Sequence, residues 1–138
     1  MQGDRFGNSV SVHVDTVVIG AAEVDEVASN AGSAYVFVRT GTTWVQQQKL
    51  TASDGQASDE FGFSVSVDGD TAVIGASGDD DGGSSAGSAY VFVRTGTTWV
   101  QQQKLTASDG QGTDEFGFSV SVSGTTTLVG TTRADAAY

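Results

Sequence analysis

An internal repeat constrains the fold of this chain more than any other feature. The stretch Ala31–Gln56 returns letter for letter as Ala86–Gln111. The same offset relates three Phe-Gly pairs, which begin at Phe6, Phe61 and Phe116. Self-similarity at a fixed period is typical of repeat proteins, in which each unit buries its apolar faces against its neighbours. The 138-residue chain therefore divides into repeats at 6–60 and 61–115 and a partial repeat at 116–138.

The second repeat contains four runs of strand length that are separated by turn signals. In the first run Phe63, Val65 and Val67 alternate with serines, which is the side-chain period of a strand. Asp68-Gly69-Asp70 then predicts a hairpin turn. The second and third runs are apolar on both faces, and the fourth is polar in its middle. The four predicted strands are residues 63–67, 71–76, 88–94 and 99–105.

Strands with two apolar faces indicate a sheet that is covered on both sides. A β-sandwich would leave one face of most strands in water, and the second and third runs do not provide such a face. Four short antiparallel strands per repeat, with the polar strand last, describe a β-propeller blade whose inner strand comes first. We predict an all-β fold of four-stranded antiparallel propeller blades, about two and a half per chain by the repeat count.

Charge and composition exclude several classes of partner. The net charge is −11, from 17 acidic and 6 basic residues. This charge opposes binding to nucleic acid or to an anionic membrane, because both need clustered Lys and Arg. Cysteine is absent, so the chain can form neither disulfides nor a thiolate metal site, and no apolar run reaches the length of a membrane span. We expect no nucleic-acid partner and no membrane insertion.

Short phrases recur in a fixed order in the repeats. In the second repeat they are Phe61-Gly62, Ser64-Val65-Ser66-Val67, Ile74-Gly75-Ala76 and Gly87-Ser88-Ala89-Tyr90-Val91-Phe92. The first repeat matches at Phe6-Gly7, Ile19-Gly20-Ala21 and Gly32-Ser33-Ala34-Tyr35-Val36-Phe37, and the partial repeat at Phe116-Gly117. The unit resembles the FG-GAP repeat, the blade of the integrin α-subunit β-propeller and of many microbial surface proteins. The resemblance implies a propeller fold strongly and a particular ligand only weakly.

One departure from the integrin-like members concerns calcium. In those members the turn between the first two strands is a longer, Asp-rich loop that binds calcium. Here the corresponding turns are His13-Val14-Asp15, Asp68-Gly69-Asp70 and Ser123-Gly124-Thr125. Such turns cannot supply the roughly six to eight oxygen ligands that calcium takes. The chain is therefore more similar to the calcium-free microbial branch of the repeat.

The densest carboxylate cluster is Asp79-Asp80-Asp81, in the loop between the second and third predicted strands. It could hold a divalent cation such as calcium, with Asp79 and Asp81 as the ligands. The run lacks the alternate spacing and the later Glu of an EF-hand loop, and the first repeat has a different acidic pattern there. We therefore favour a solvated loop and expect no cofactor.

Two further groups of residues are candidates for a ligand-binding rim. Asp54, Asp59 and Glu60 precede the second repeat and recur at the same place before the third, which favours a structural role in fixing the turn. Trp44 and Trp99 start the fourth strands and are candidates for an aromatic platform that binds sugar. The aromatic residues of the third strands instead suit packing between blades; these are Tyr35, Tyr90, Phe37 and Phe92.

The chain shows no set of residues that converges on catalysis. His13 is the only histidine, it lies in a turn of one repeat, and nothing in the sequence nominates a partner for it. No cysteine nucleophile, phosphate-binding glycine loop or dinucleotide fingerprint is present. We therefore predict that the protein is not an enzyme.

Stacked blades also predict self-association, since an unpaired blade would leave an apolar sheet face in water. We expect a homo-oligomer that completes the ring, and a non-enzymatic interaction or adhesion module of an exported or cell-surface protein, with a protein or glycan ligand. Met1-Gln2-Gly3-Asp4 runs straight into the repeat, so we expect any signal peptide to lie outside this chain. The alternatives are a structural or engineered propeller fragment whose only activity is assembly, and a lectin-like glycan-binding propeller.

Overall fold

The structure is a computed structural model that describes residues 4–25, 28–110 and 112–132. Ten β-strands and no helix occur in these ranges, which confirms the predicted all-β class. No segment of the described chain forms a helix that is long and apolar enough to cross a membrane. The strands are β1 (Phe6–His13), β2 (Thr16–Ala21), β3 (Ser33–Thr40), β4 (Thr43–Leu50), β5 (Phe61–Asp68), β6 (Thr71–Ala76), β7 (Ser88–Thr95), β8 (Thr98–Leu105), β9 (Ser119–Ser123) and β10 (Thr126–Gly130).

The strands form three separate antiparallel sheets whose order follows the chain. β1 to β4 form the first blade, β5 to β8 the second, and β9 pairs with β10 in a two-stranded sheet. The predicted hairpin lies between β5 and β6, where Asp68 pairs with Thr71 and Gly69 has a positive φ of 58°. All four strands predicted in the second repeat are present, and the blade architecture is confirmed.

The start of β5 departs from the predicted alternation. The strand begins at Phe61, and its register against β6 shifts between Phe61 and Ser64. Gly62 makes the shift possible because its φ is 92°, a conformation that glycine adopts readily. Glycine is also needed here for the close approach of the blades, because a Cβ would overlap the Ser33 carbonyl oxygen of the first blade. As a result Phe61, and not Phe63, joins Val65 and Val67 in the buried core. Phe63 instead contacts the ring of Phe118.

Consecutive blades pack through two different faces, which we call the forward face and the rear face. The forward face of a blade contacts the next blade; in the first blade it carries Val18, Ala34, Val36 and Leu50. The rear face contacts the preceding blade; in the second blade it carries Phe61, Val65, Val67, Tyr90, Phe92 and Trp99. The second blade uses Val73 and Ala89 of its own forward face against Phe116, Val122 and Val129. Both faces of the middle strands are therefore buried, as predicted.

Polar side chains of the first strand in each blade bind the backbone of the next blade. Ser9 Oγ donates to the Gly62 carbonyl (2.9 Å), and Ser11 Oγ accepts from the Val67 N–H (3.0 Å). The same pair of bonds recurs one repeat later. Ser64 Oγ donates to the Gly117 carbonyl (2.8 Å), and Ser66 Oγ accepts from the Val122 N–H (3.1 Å). These serines, which alternate with the apolar residues of the strand, set the register between neighbouring blades.

Glycine on the second strand is needed for this close approach. A Cβ at Gly75 would overlap the Gly117 carbonyl oxygen and Ser64 Oγ. A Cβ at Gly130 would overlap only the Ser119 hydroxyl, which can rotate away. We expect Gly75→Ala to lower the free energy of unfolding by about 2–3 kcal/mol, because the second and third sheets must separate. Gly130→Ala should cost less than about 1 kcal/mol at a protein concentration where the chain is monomeric. Urea denaturation of both variants measures the difference, and equal losses would contradict this account of the contact.

The two ends of the stack present blade faces that no other blade covers in the described structure. The rear face of the first blade exposes Phe6, Val10 and Val12, while the equivalent Phe61, Val65 and Val67 are buried. At the aromatic position Phe6 is 56% exposed, whereas Phe61 is 0% exposed. At the other end β9 and β10 expose Leu128, the equivalent of the buried Val73.

Candidate functional site

A lysine and three carboxylates form the most concentrated group of charges in the described structure. The Lys104 ammonium lies 2.6 Å from Asp54 Oδ2, 2.8 Å from Asp79 Oδ2 and 2.7 Å from Asp81 Oδ2. Tyr90 Oη lies between Asp54 Oδ1 (2.8 Å) and Asp79 Oδ2 (2.9 Å), and its single proton can bond to one of them at a time. We call these five residues the Lys104 cluster.

The Lys104 cluster joins two blades, because its members come from distant parts of the chain. Asp54 lies in the loop that follows β4 of the first blade, while Tyr90 and Lys104 lie on β7 and β8 of the second. Asp79 and Asp81 come from the β6–β7 loop, where the Asp81 N–H donates to Asp79 Oδ1 and holds the loop in place. A cavity of about 310 Å³ opens beside the cluster.

The charges of the Lys104 cluster shift each other's ionisation. Burial opposes the charge on Lys104, but hydrogen bonds to Asp54, Asp79 and Asp81 outweigh it and raise the pKa of the ammonium. Burial raises the pKa of Asp54, but the hydrogen bonds from Lys104 and Tyr90 outweigh it and hold that pKa below its ordinary value. Burial and the neighbouring carboxylates raise the pKa of Tyr90. Lys104 is therefore a permanent cation among its three carboxylates.

The structure brings Asp79 and Asp81, the predicted metal ligands, to one place and adds Asp54 as a third carboxylate. One oxygen of each lies within 4.8 Å of the others, which is a suitable spacing for a cation. The ammonium of Lys104 contacts all three carboxylates, so it already occupies the position between them. The solvated loop that the sequence favours is wrong at Asp79, whose side chain is 3% exposed. Binding of calcium at Asp79 and Asp81 stays the less favoured alternative, and it would require Lys104 to move.

Sequence reasoning missed the roles of Asp54 and Lys104, because the two residues lie far apart in the chain and on different blades. A usable signal was present in the difference between repeats. The first blade keeps the Tyr-Lys pair as Tyr35 and Lys49, but it has Val24 where the second has Asp79. The Lys49 ammonium lies over the Tyr35 ring at the same 5.4 Å at which Lys104 lies over Tyr90. The buried carboxylate of Asp79 is thus an addition to a shared Tyr-Lys pair.

Asp59 is a buried carboxylate whose ionisation opposes folding. It is 3% exposed, and Oδ2 accepts a hydrogen bond from the Gln56 N–H at 2.7 Å. Burial, together with the charges of Asp79, Asp80 and Asp81, raises its pKa from the ordinary 3.8 to about 6. The folded chain thus keeps a proton that the unfolded chain releases, so this group lowers stability as pH rises from about 4 to about 6.

We expect Asp59→Asn to be more stable than the unsubstituted protein at pH 7 by about 1–3 kcal/mol, and to lose this advantage at pH 4. The amide oxygen of Asn still accepts the Gln56 bond, and only the charge is removed. Asp59→Ala is the matched control, because it removes the charge and the acceptor together and should gain less. Denaturation curves from pH 4 to pH 8 test this, and a difference that does not vary with pH would contradict it.

The structure places the two candidate rim tryptophans in different environments. Trp99 is 2% exposed: Nε1 donates to Gln47 Oε1 (2.8 Å), and its ring lies under the Arg94 guanidinium at 4.8 Å. Gln48 of β4 also bonds to the Trp99 backbone, so the polar middle of the fourth strand joins neighbouring blades. Trp44 is 41% exposed, because no blade covers it in the described structure. Of the two tryptophans, only Trp44 presents an accessible ring for a ligand.

His13 acts between blades and does not stand beside a nucleophile in the described structure. Nδ1 accepts a hydrogen bond from the Gly69 N–H at 3.0 Å, and Nε2 lies 3.1 Å from Asp68 Oδ1. In the next interface Asp68 takes the same position and accepts from the Gly124 N–H.

The loop carboxylate Glu60 lies beside Ser77, and burial raises the pKa of Glu60.

Comparison with known proteins agrees with the architecture. A family model described as the FG-GAP repeat matches residues 1–37, 44–92 and 99–138, which is most of the chain. No curated protein matches the chain. The three matches, the internal repeat and the four-stranded blades all point to the same repeat. The chain belongs to the FG-GAP repeat family.

Proposed function

We propose that this chain is a non-enzymatic interaction module that associates with itself through its blade faces. Repeats of this family are generally non-enzymatic, and their blades form a β-propeller module. In the described residues the most concentrated polar group, the Lys104 cluster, is an ion-paired contact between blades. Its lysine is committed to three carboxylates, which leaves it poorly suited as a base or nucleophile.

The observation that carries the proposal is the difference in burial between equivalent residues. The rear face of the first blade carries Phe6, Val10 and Val12, which are the same residue types as Phe61, Val65 and Val67 of the second. The difference is that no preceding blade covers the first set. A contiguous apolar face of this kind marks an interaction site. Because the equivalent rear face of the second blade fits the first blade at the internal interface, another copy of this chain is a suitable partner.

The association is tested by light scattering after size-exclusion chromatography, over a hundredfold range of protein concentration. We expect a mass above the 14.1 kDa of one chain, rising with concentration. A mass of one chain across the whole range would contradict self-association. A carboxylate-rich surface repels like charges, so raising the salt concentration should strengthen the assembly.

We also propose that the parent protein is exported or displayed on a cell surface. The absence of cysteine and the acidic surface are compatible with that environment, and the resemblance to repeats of microbial surface proteins favours it. Treatment of intact source cells with an added protease tests this. Cleavage of the protein in intact cells is the expected result, and protection until the cells are lysed would contradict it.

A second candidate function, glycan binding, is favoured by Trp44 alone. The Arg39 guanidinium lies over one face of the exposed Trp44 ring, 5.6 Å from its centroid. A sugar ring could stack on the other face of the same tryptophan. Binding to an array of glycans, lost in Trp44→Ala and retained in a variant at the exposed Val100, would support it. Equal binding by both variants would contradict a role for Trp44.

A further inference from the structure

The interface between blades has a direction. At each internal interface a forward face meets a rear face, and the two differ in their chemistry. The forward face supplies serine hydroxyls and small aliphatic residues, while the rear face supplies phenylalanine, valines and backbone groups. Two rear faces cannot reproduce these contacts, because neither would offer the hydroxyls that bind the backbone of the other.

The uncovered face of β9 and β10 is a forward face. Ser119 and Ser121 are the equivalents of Ser64 and Ser66, which bind the backbone of the next blade, and both are exposed. Leu128 is exposed at the position of Val73, where the second blade receives its neighbour. β9 and β10 therefore carry the groups that would receive a further blade.

The uncovered face of the first blade is a rear face. Val12 is 65% exposed, whereas the equivalent Val67 is 5% exposed and donates its N–H to Ser11. Gly7 has the same left-handed conformation as Gly62, with φ of 90° and 92°, so its carbonyl can take the same position as that of Gly62. The rear face at one end of the chain therefore complements the forward face at the other end.

We propose that copies of this chain associate head to tail, with β9 and β10 of one copy packed on the rear face of β1 and β2 of the next. Ser119 donates to the Gly7 carbonyl of the second copy, and Ser121 accepts from its Val12 N–H. The junction repeats the contacts of the first two strands in an interface that the chain already makes twice within itself. This inference rests on the proposed self-association and adds which faces meet. A head-to-tail contact closes into a ring or continues as a filament, according to the rotation between copies.

Variants that disable one face each provide the test. Val12→Lys alters the rear face, Leu128→Lys alters the forward face, and both positions are exposed in the single chain. Val100→Lys is the matched control. Its equivalent in the first blade is Val45, and the two are 54% (Val45) and 58% (Val100) exposed. Because only Val100 has a preceding blade, this similarity means that a preceding blade does not cover the position. All three variants add one positive charge, so the acidic chain repels itself less in each.

Sedimentation velocity of single variants and of mixtures distinguishes the possible interfaces. We expect Val12→Lys alone and Leu128→Lys alone to be single chains, and an equal mixture of them to form a species of two chains that does not grow. Val100→Lys should assemble as the unsubstituted protein does. Circular dichroism checks that each variant is folded, and Val10→Lys or Ser121→Lys replaces a variant that is not.

Each other outcome overturns a stated part of the proposal. If Leu128→Lys alone still forms a dimer, two rear faces meet, and the head-to-tail arrangement is wrong while self-association stands. If the unsubstituted protein assembles but the mixture stays as single chains, the pairing of these faces is again wrong. If the unsubstituted protein is a single chain at every concentration, the proposed self-association itself fails.

Discussion

Replacing Phe61 by alanine is expected to lower the free energy of unfolding by about 3–5 kcal/mol. The ring is 0% exposed and fills the interface between the first and second blades. It meets Tyr90 and Phe92 edge to face, with ring centroids 5.3 and 5.9 Å apart. Its removal leaves a cavity that the two rigid sheets cannot close by moving together. Urea denaturation monitored by tryptophan fluorescence measures the loss.

Phe6→Ala is the matched control for Phe61→Ala. Phe6 makes the same contacts within its own blade, to Tyr35 at 5.3 Å and Phe37 at 6.5 Å, but no preceding blade covers it. We expect a loss of about 1 kcal/mol at a protein concentration where the chain is monomeric. The difference between the two variants reports packing between blades. Equal losses would show that the ring contacts within a blade account for the whole effect.

Replacing Lys104 by alanine is expected to lower the free energy of unfolding by about 2–4 kcal/mol. The change leaves Asp54, Asp79 and Asp81 facing one another without a cation, and Asp79 is only 3% exposed at its side chain. Lys49→Ala is the control, because Lys49 covers Tyr35 at the same distance while Val24 replaces the buried carboxylate. It should cost less than about 1 kcal/mol. Thermal and urea denaturation of the two variants measure the contrast.

The same variant tests the cation prediction for Asp79 and Asp81. In Lys104→Ala the three carboxylates are free to share a divalent ion, so millimolar calcium should raise the melting temperature of this variant more than that of the unsubstituted protein. Lys104→Ala combined with Asp79→Asn should lose the response. An equal shift in all three proteins would mean that calcium acts elsewhere, and the assignment to this cluster would be wrong.

The sequence predicted the strands and blades correctly because both follow from local patterns that the repeat presents twice. It missed the register shift at Phe61, because side-chain alternation does not show where a glycine takes a left-handed conformation, as Gly7 and Gly62 both do. It placed Asp79 and Asp81 together because they are neighbours in one loop. It did not find Asp54 or Lys104 as their partners, since no local pattern relates residues on separate blades.

By itself, the amino-acid sequence determined the repeat, the strand positions and the family, because a fixed repeat period and the alternation of side chains are properties of the linear chain. Only the tertiary structure decided which of two identical residues is buried. Phe6 and Phe61, or Trp44 and Trp99, have the same local sequence signals and opposite exposure. The reason is physical: burial in a stack of blades depends on whether a neighbouring blade is present, and no residue carries that information in its own segment.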